Sequence, residues 1–133
     1  MTSVLLRHAS AGDRDRWPVA DELRPLDARG RLQAIALVEL LLPLGVSRVV
    51  SSPYVRCLDT VEPLAAALEV PVEPDDRLAE GAGLVAAELV RETGVVCCTH
   101  GDIVEALLGR GLKKGAAVVL DGGDVVREIP PPR

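Results

Sequence analysis

The chain begins with an apolar run, Val4-Leu5-Leu6, which stops abruptly at Arg7-His8 and is followed by Ser10-Ala11-Gly12-Asp13. Apolar throughout and bounded by turn residues, it predicts a short buried strand. Residues 10–26 are polar and predict a surface loop at a pocket rim. Asp27 is placed to cap a helix running to about residue 42, with Leu32, Ile35, Ala36, Val38 and Leu42 at helical spacing and Pro43 and Gly45 closing it. Residues 46–50 are rich in β-branched side chains and predict a second strand. Ser52 then suits an N-cap, and Pro53 the first position, of a helix reaching residue 68. A short strand over 70–73 carries Pro71 and is followed by Pro74, which marks a sheet edge. A helix is expected over 83–93 on Leu84, Val85, Glu88 and Leu89. A strand over 95–99 ends at His100-Gly101, and Asp102 and Glu105 match a capping box before a short helix to about residue 108. Strands over 116–120 and 125–129 flank Asp121-Gly122-Gly123-Asp124, a hairpin signal.

Strands alternating with helices predict an α/β fold, a three-layer α/β/α sandwich with a mostly parallel sheet and a C-terminal antiparallel hairpin. With 133 residues and no linker, repeat or low-complexity segment, residues 1–133 are expected to form a single domain with a sizeable core.

Composition narrows the function classes. The chain has no Phe, one Trp and one Tyr, so it lacks the aromatic platforms of a base-stacking surface. Its net charge of −5 opposes broad duplex binding, and no nucleic-acid partner is expected. The apolar tract over 34–46 contains Glu39 and Pro43 and is too short for a membrane helix, so no membrane partner is expected either. Three cysteines, with Cys97 and Cys98 adjacent and pointing to opposite faces of a strand, suit reduced thiols and a cytoplasmic location.

The candidate chemistry lies at strand ends. The only two histidines, His8 and His100, each follow an apolar strand, where the ligand crevice of an open α/β sheet lies. Arg56 falls in the first turns of a helix, whose N-terminus favours anions, although alone it reads as a solvated helix residue. Competing chemistries fail on spacing. No Cys-x5-Arg loop exists, since Cys57, Cys97 and Cys98 meet Pro63, Ile103 and Val104 at that distance. No GxxxxGK[ST] loop is present, and His8, His100 and Cys98 lack paired zinc-ligand spacing. Cys57 reads as a helix residue with no chemical role.

Arg7-His8-Ala9, Ser52 to Arg56, Leu78-Ala79-Glu80 and His100-Gly101 occur in an order that resembles the histidine phosphatase superfamily, the phosphoglycerate-mutase-like group. The segment 25–30, with Gln33-Ala34, resembles the opening of that family's first helix. Ala9 in place of the commoner Gly, and the short chain, are similar to a bacterial branch that includes phosphohistidine phosphatases rather than mutases. The likeness extends to the phosphatase-like half of bacterial enzymes that begin with a Nudix domain, a signature not seen here.

The resemblance implies a phosphatase in which His8 is the nucleophile and forms a phosphohistidine intermediate. It makes Arg7, Arg56 and positive His100 the charge stabilisers and Glu80 the acid for the leaving group. It also sets Arg7, Ser10, Arg56, His100 and Gly101 around the phosphate. Phosphoryl transfer needs positioning and charge neutralisation, which guanidinium forks supply. Neutral His8 is expected, its pKa lowered by nearby guanidiniums, with the second ring nitrogen held by a backbone carbonyl. No metal or cofactor is called for. The expected partner is a small phosphorylated molecule or a phosphohistidine protein. The alternative is a catalytically weak phosphate-binding or regulatory module of the same fold.

Overall fold

The protein was analysed as a computed structural model that describes residues 2–133. In chain order its elements are β1 (Thr2–Arg7), α1 (Ala28–Leu41), β2 (Arg48–Ser51), α2 (Val55–Leu68), β3 (Val72–Pro74), β4 (Val95–Thr99), α3 (Gly101–Leu108), β5 (Ala117–Asp121) and β6 (Asp124–Ile129), joined by loops and short 3-10 turns. The sheet order is β3-β2-β4-β1-β5-β6. β1, β2, β3 and β4 pair in parallel, β5 adds antiparallel to β1, and β6 adds antiparallel to β5. The predicted architecture is therefore present, with β3 on the edge that its prolines indicated.

Alternation along the strands divides the core between the two faces. Val4, Leu6, Val49, Val96 and Cys98 pack under α1 and α2, whereas Leu5, Val50, Cys97 and Val118 pack under α3 and the 83–94 segment. Cys97 and Cys98 lie on opposite faces as expected. The β5–β6 turn uses Gly122 at φ 61° and Gly123 at φ 93°, the pair of positive values that a tight two-residue hairpin needs.

Several boundaries differ from expectation. The segment 83–93 is not a helix but a run of turns with one 3-10 turn at Leu89–Arg91. Gly81 and Gly83 have positive φ, and only Ala86, Leu89 and Val90 reach the core, which supports one turn and no more. On α1 the buried line is Gly30, Gln33, Ala34, Leu37 and Leu41, while Leu32 and Ile35 face solvent at 70% and 62% exposure. The helix is turned so that Gln33 points inward, accepting from Ser10 N at 2.9 Å and donating to the Pro132 carbonyl at 3.4 Å. β2 begins at Arg48 rather than at residue 46. α2 begins at Val55; Ser52 Oγ instead accepts from Tyr54 N at 3.2 Å, a turn before the helix. Asp102 does not cap α3, whose cap is His100. It lies within the first turn, and its Oδ2 accepts from Gly81 N at 2.7 Å.

Asp27 does cap α1, accepting from Gly30 N at 2.8 Å. Gly30 is required there, since an added Cβ would lie 1.9 Å from the Ser10 carbonyl oxygen. Gly30→Ala is therefore expected to destabilise by about 1–3 kcal/mol despite alanine's higher helix propensity, because the clash is with backbone. Gly111→Ala, where nothing lies within 4 Å and φ is not positive, is expected to leave the unfolding midpoint nearly unchanged. Urea unfolding of both variants checks the contrast; a neutral Gly30→Ala would contradict it.

Candidate active site

Hydrogen bonds that extend the sheet bring three loop starts together. His8 N donates to the Thr99 carbonyl at 3.0 Å, Ser52 N to the Cys98 carbonyl at 2.9 Å, and Arg7 N to the Ala116 carbonyl at 3.0 Å. The crevice lies beyond the carboxyl ends of β1, β2 and β4, beside the strand where the crossovers change direction. A cavity of about 550 Å³ opens there, lined among others by Arg7, His8, Arg14, Arg24, Glu80, His100, Gly101 and Lys114.

His8 is buried, at 4% exposure. Its Nδ1 lies 2.8 Å from the Ala9 carbonyl, which can only accept, so Nδ1 carries the proton and Nε2 keeps a free lone pair. The His8 pKa is lowered from 6.5 to about 3. Burial is the largest cause, opposed by the Ala9 carbonyl and reinforced by His100, Arg56 and Arg7. The expected acceptor is there, but desolvation outranks the guanidinium charges that the sequence pointed to. Ala9 is in turn fixed through its N–H, which donates to Thr60 Oγ1 of α2 at 3.0 Å.

Arg56 is fully buried rather than solvated. Its Nη1 donates to the Asp21 carbonyl at 3.0 Å, and its Nη2 lies 3.1 Å from Asp21 Oδ2 and 3.6 Å from Glu80 Oε2. Nη2 also approaches His100 Nδ1 at 3.4 Å. A guanidinium only donates, so that contact leaves the His100 proton on Nε2, which donates to Ser52 Oγ at 2.8 Å. The two imidazoles meet edge to face, 5.6 Å between centroids.

Arg7 donates from Nη1 to the Leu112 carbonyl at 2.7 Å, while its Nε is buried with no hydrogen-bond partner. Its guanidinium lies flat against Gly101, where a Cβ would come within 3.0 Å of Cζ. Glu80 reaches the cavity and pairs with Arg14 at 2.7 Å. Ser10 is not brought to the cavity; its hydroxyl donates to Asp27 Oδ2 at 2.8 Å, because Asp27 is held at the cap of α1 beside it. Cys57 has more than a packing position: its Sγ is 3.6 Å from His100 Nε2. Burial pushes its thiol up, but hydrogen bonding to Cys98 and His100 outweighs this and draws it below its ordinary value.

The residues missed in the sequence are Asp21, Arg14, Arg24 and Lys114. Asp21 alone meets three guanidiniums, Arg56, Arg24 at 2.9 Å and Arg14 at 3.5 Å. The alternating charges of residues 13–24 were the available signal, but loop residues have no periodicity from which to read direction.

Comparisons with known proteins give the family and the fold. The profile of the histidine phosphatase superfamily (branch 1) matches residues 3–85. An 8-oxo-(d)GTP phosphatase of Mycolicibacterium smegmatis is 34% identical over 116 residues, covering 80% of this chain and 36% of that protein. The chain thus spans about a third of that relative's length. The structure of the protein histidine phosphatase SixA complexed with tungstate has a TM-score of 0.77 at 23% identity, covering 98% of this chain and 97% of that one. A mycobacterial glucosyl-3-phosphoglycerate phosphatase with VO3 has a TM-score of 0.68 at 20% identity, covering 90% and 92%. These two likenesses show the shared fold, and the profile match shows the family. With Arg7-His8 and Ser52 to Arg56 inside the matched segment, the chain belongs to the histidine phosphatase superfamily, branch 1.

Proposed function

We propose that this protein is a phosphatase that hydrolyses a phosphomonoester or a phosphohistidine through a covalent intermediate on His8. The observation that carries the reading is the His8 ring, locked through Nδ1 so that a neutral Nε2 is free beside Arg7. In the first step the Nε2 lone pair attacks phosphorus while the bond to the leaving oxygen breaks. Arg7 and Arg56 offset the charge on the three equatorial oxygens. Glu80, when protonated, delivers a proton to the leaving oxygen. Water then attacks the phosphohistidine, Glu80 takes its proton, and His8 departs neutral with phosphate released.

Substrate binding has a cost at Arg56, since the phosphate must share a guanidinium already contacted by Asp21 and Glu80. The SixA and 8-oxo-(d)GTP phosphatase relatives support a phosphorylated substrate, either protein-borne or small. The second reading, a binding module without turnover, is separated by one assay.

Hydrolysis of an aryl phosphate is expected to persist in EDTA and to be inhibited by tungstate or vanadate. Loss on chelation with recovery on adding a divalent cation would overturn the mechanism, and absence of turnover would favour the binding module.

Glu80→Gln is expected to slow alkyl phosphates roughly 10²-fold or more, while activated aryl phosphates lose far less, as general-acid contributions of ~10²–10⁴-fold imply. Parallel kinetics on the two substrates check this; equal losses would remove Glu80 from the acid role.

His8 is expected to show no NMR titration midpoint near 6.5, because its folded value lies near 3. As pH falls from 6.5 towards 3, the unfolded chain takes up a proton that the folded chain refuses, so stability falls through that window. His8→Gln should flatten the slope by up to about 1.4 kcal/mol per pH unit. A midpoint near 6.5 and an unchanged slope would contradict the account.

A further inference from the structure

Of the two arginines assigned above to the phosphoryl group, Arg7 lines the cavity and Arg56 is buried behind it, yet the cavity holds further cations. Arg24 and Lys114 both line it. Arg24 is buried, at 5% exposure; its Nε is held by Asp21 and its Nη1 donates to the Gly12 carbonyl, while Nη2 has no protein partner among the described residues. Lys114 stands on the rim and makes no hydrogen bond or ion pair among the described residues.

The backbone next to Lys114 is held in place. Gly115 N donates to both the Arg7 and the His8 carbonyls, at 3.1 and 2.9 Å, which ties this segment to the end of β1. The charges that act on Lys114 include Arg7, Arg24 and Arg56, with the carboxylate of Asp27 opposing them. Burial and those three cations together lower its pKa. Crowded like charges are costly where no anion offsets them, and the Lys114 ammonium has no carboxylate partner of its own among the described residues.

The acids of the cavity are already engaged. Glu80 pairs with Arg14, Asp102 accepts from Gly81 N, and Asp13 accepts from Asp15 N. Asp27 accepts from Gly30 N and the Ser10 hydroxyl. Among the described residues the buried polar atoms without a hydrogen-bond partner are the donors Arg7 Nε and Arg56 Nε and the acceptor Asp21 Oδ2, which lies 3.1 Å from Arg56 Nη2. A cavity of about 550 Å³ also suits a small-molecule ligand, for which pockets of about 300–1,000 Å³ are usual.

We propose that Lys114 and Arg24 form a second anion subsite beside the phosphoryl position, so that the chain favours small phosphomonoesters whose leaving part carries a further phosphate. This rests on the phosphatase reading above. The second phosphate binds as an intact group, takes no part in the transfer, and is read through the Lys114 ammonium and the free edge of the Arg24 guanidinium. The shared chemistry covers a diphosphate and a more widely spaced bisphosphate alike.

Equilibrium binding tests the subsite without requiring turnover. Isothermal titration calorimetry would compare methylphosphonate, methylenediphosphonate and 1,3-propanediylbisphosphonate on the full chain. At least one of the two bisphosphonates is expected to bind about tenfold or more tightly than methylphosphonate, and which one does so separates adjacent from spaced charges. Lys114→Gln, a change on the rim that should not disturb folding, is expected to remove most of that advantage, and Lys114→Arg to keep it. Equal affinity for all three ligands would overturn the subsite. So would a Lys114→Gln loss as large for methylphosphonate as for the bisphosphonates, which would return Lys114 to the phosphoryl position. Aryl phosphate turnover, measured alongside, reports on the phosphatase reading separately: a protein that binds bisphosphonates selectively but turns nothing over keeps the subsite and loses the enzyme.

Discussion

A guanidinium withdrawn completely from water must be paired, and the burial of Arg56 imposes that condition on the whole site. Its partners come from three separate parts of the chain: Asp21 in the long loop after β1, Glu80 in the loop after β3, and His100 at the end of β4. Removing one partner would leave a buried charge short of compensation, so the loops are bound to the sheet by an electrostatic requirement as well as by packing. Asp21 extends the arrangement by holding Arg24 and Arg14, and Arg14 in turn holds Glu80. A loop with little apolar material of its own is thereby given a definite position over the crevice.

The two histidines are tuned in different ways by this frame. His8 is kept neutral mainly by desolvation, with Nδ1 held by a carbonyl next to it in sequence. His100 is oriented by a contact at each nitrogen, Arg56 Nη2 at Nδ1 and Ser52 Oγ at Nε2.

Much of the frame was legible in the chain. The strand ends at Arg7-His8 and His100, the edge position of β3, the Asp27 cap and the glycine hairpin follow from local rules, and the structure has each of them. Local rules failed where tertiary contacts decide. α1 is rotated to bury Gln33 and Leu37 instead of Leu32 and Ile35, because Gln33 binds the backbone of the loop before it. The expected helix over 83–93 had the spacing, but only Ala86, Leu89 and Val90 reach the core and the segment forms turns between positive-φ glycines at Gly83 and Gly94. Arg56 looked solvated because nothing in its own segment announces Asp21, which lies 35 residues earlier in sequence. Ser10 was placed at the phosphate by resemblance, whereas its hydroxyl is taken by Asp27.

The central claim is that His8 Nε2 receives the phosphoryl group, and trapping that species tests it most directly. Enzyme quenched without acid during turnover of a labelled phosphomonoester should carry label that is lost in acid and kept in alkali, as a phosphoramidate bond requires. Peptide mapping should place the label on His8, His8→Ala should abolish it, and His100→Ala should slow its formation without moving it. Label on His100, on Cys57 or on a serine would contradict the account.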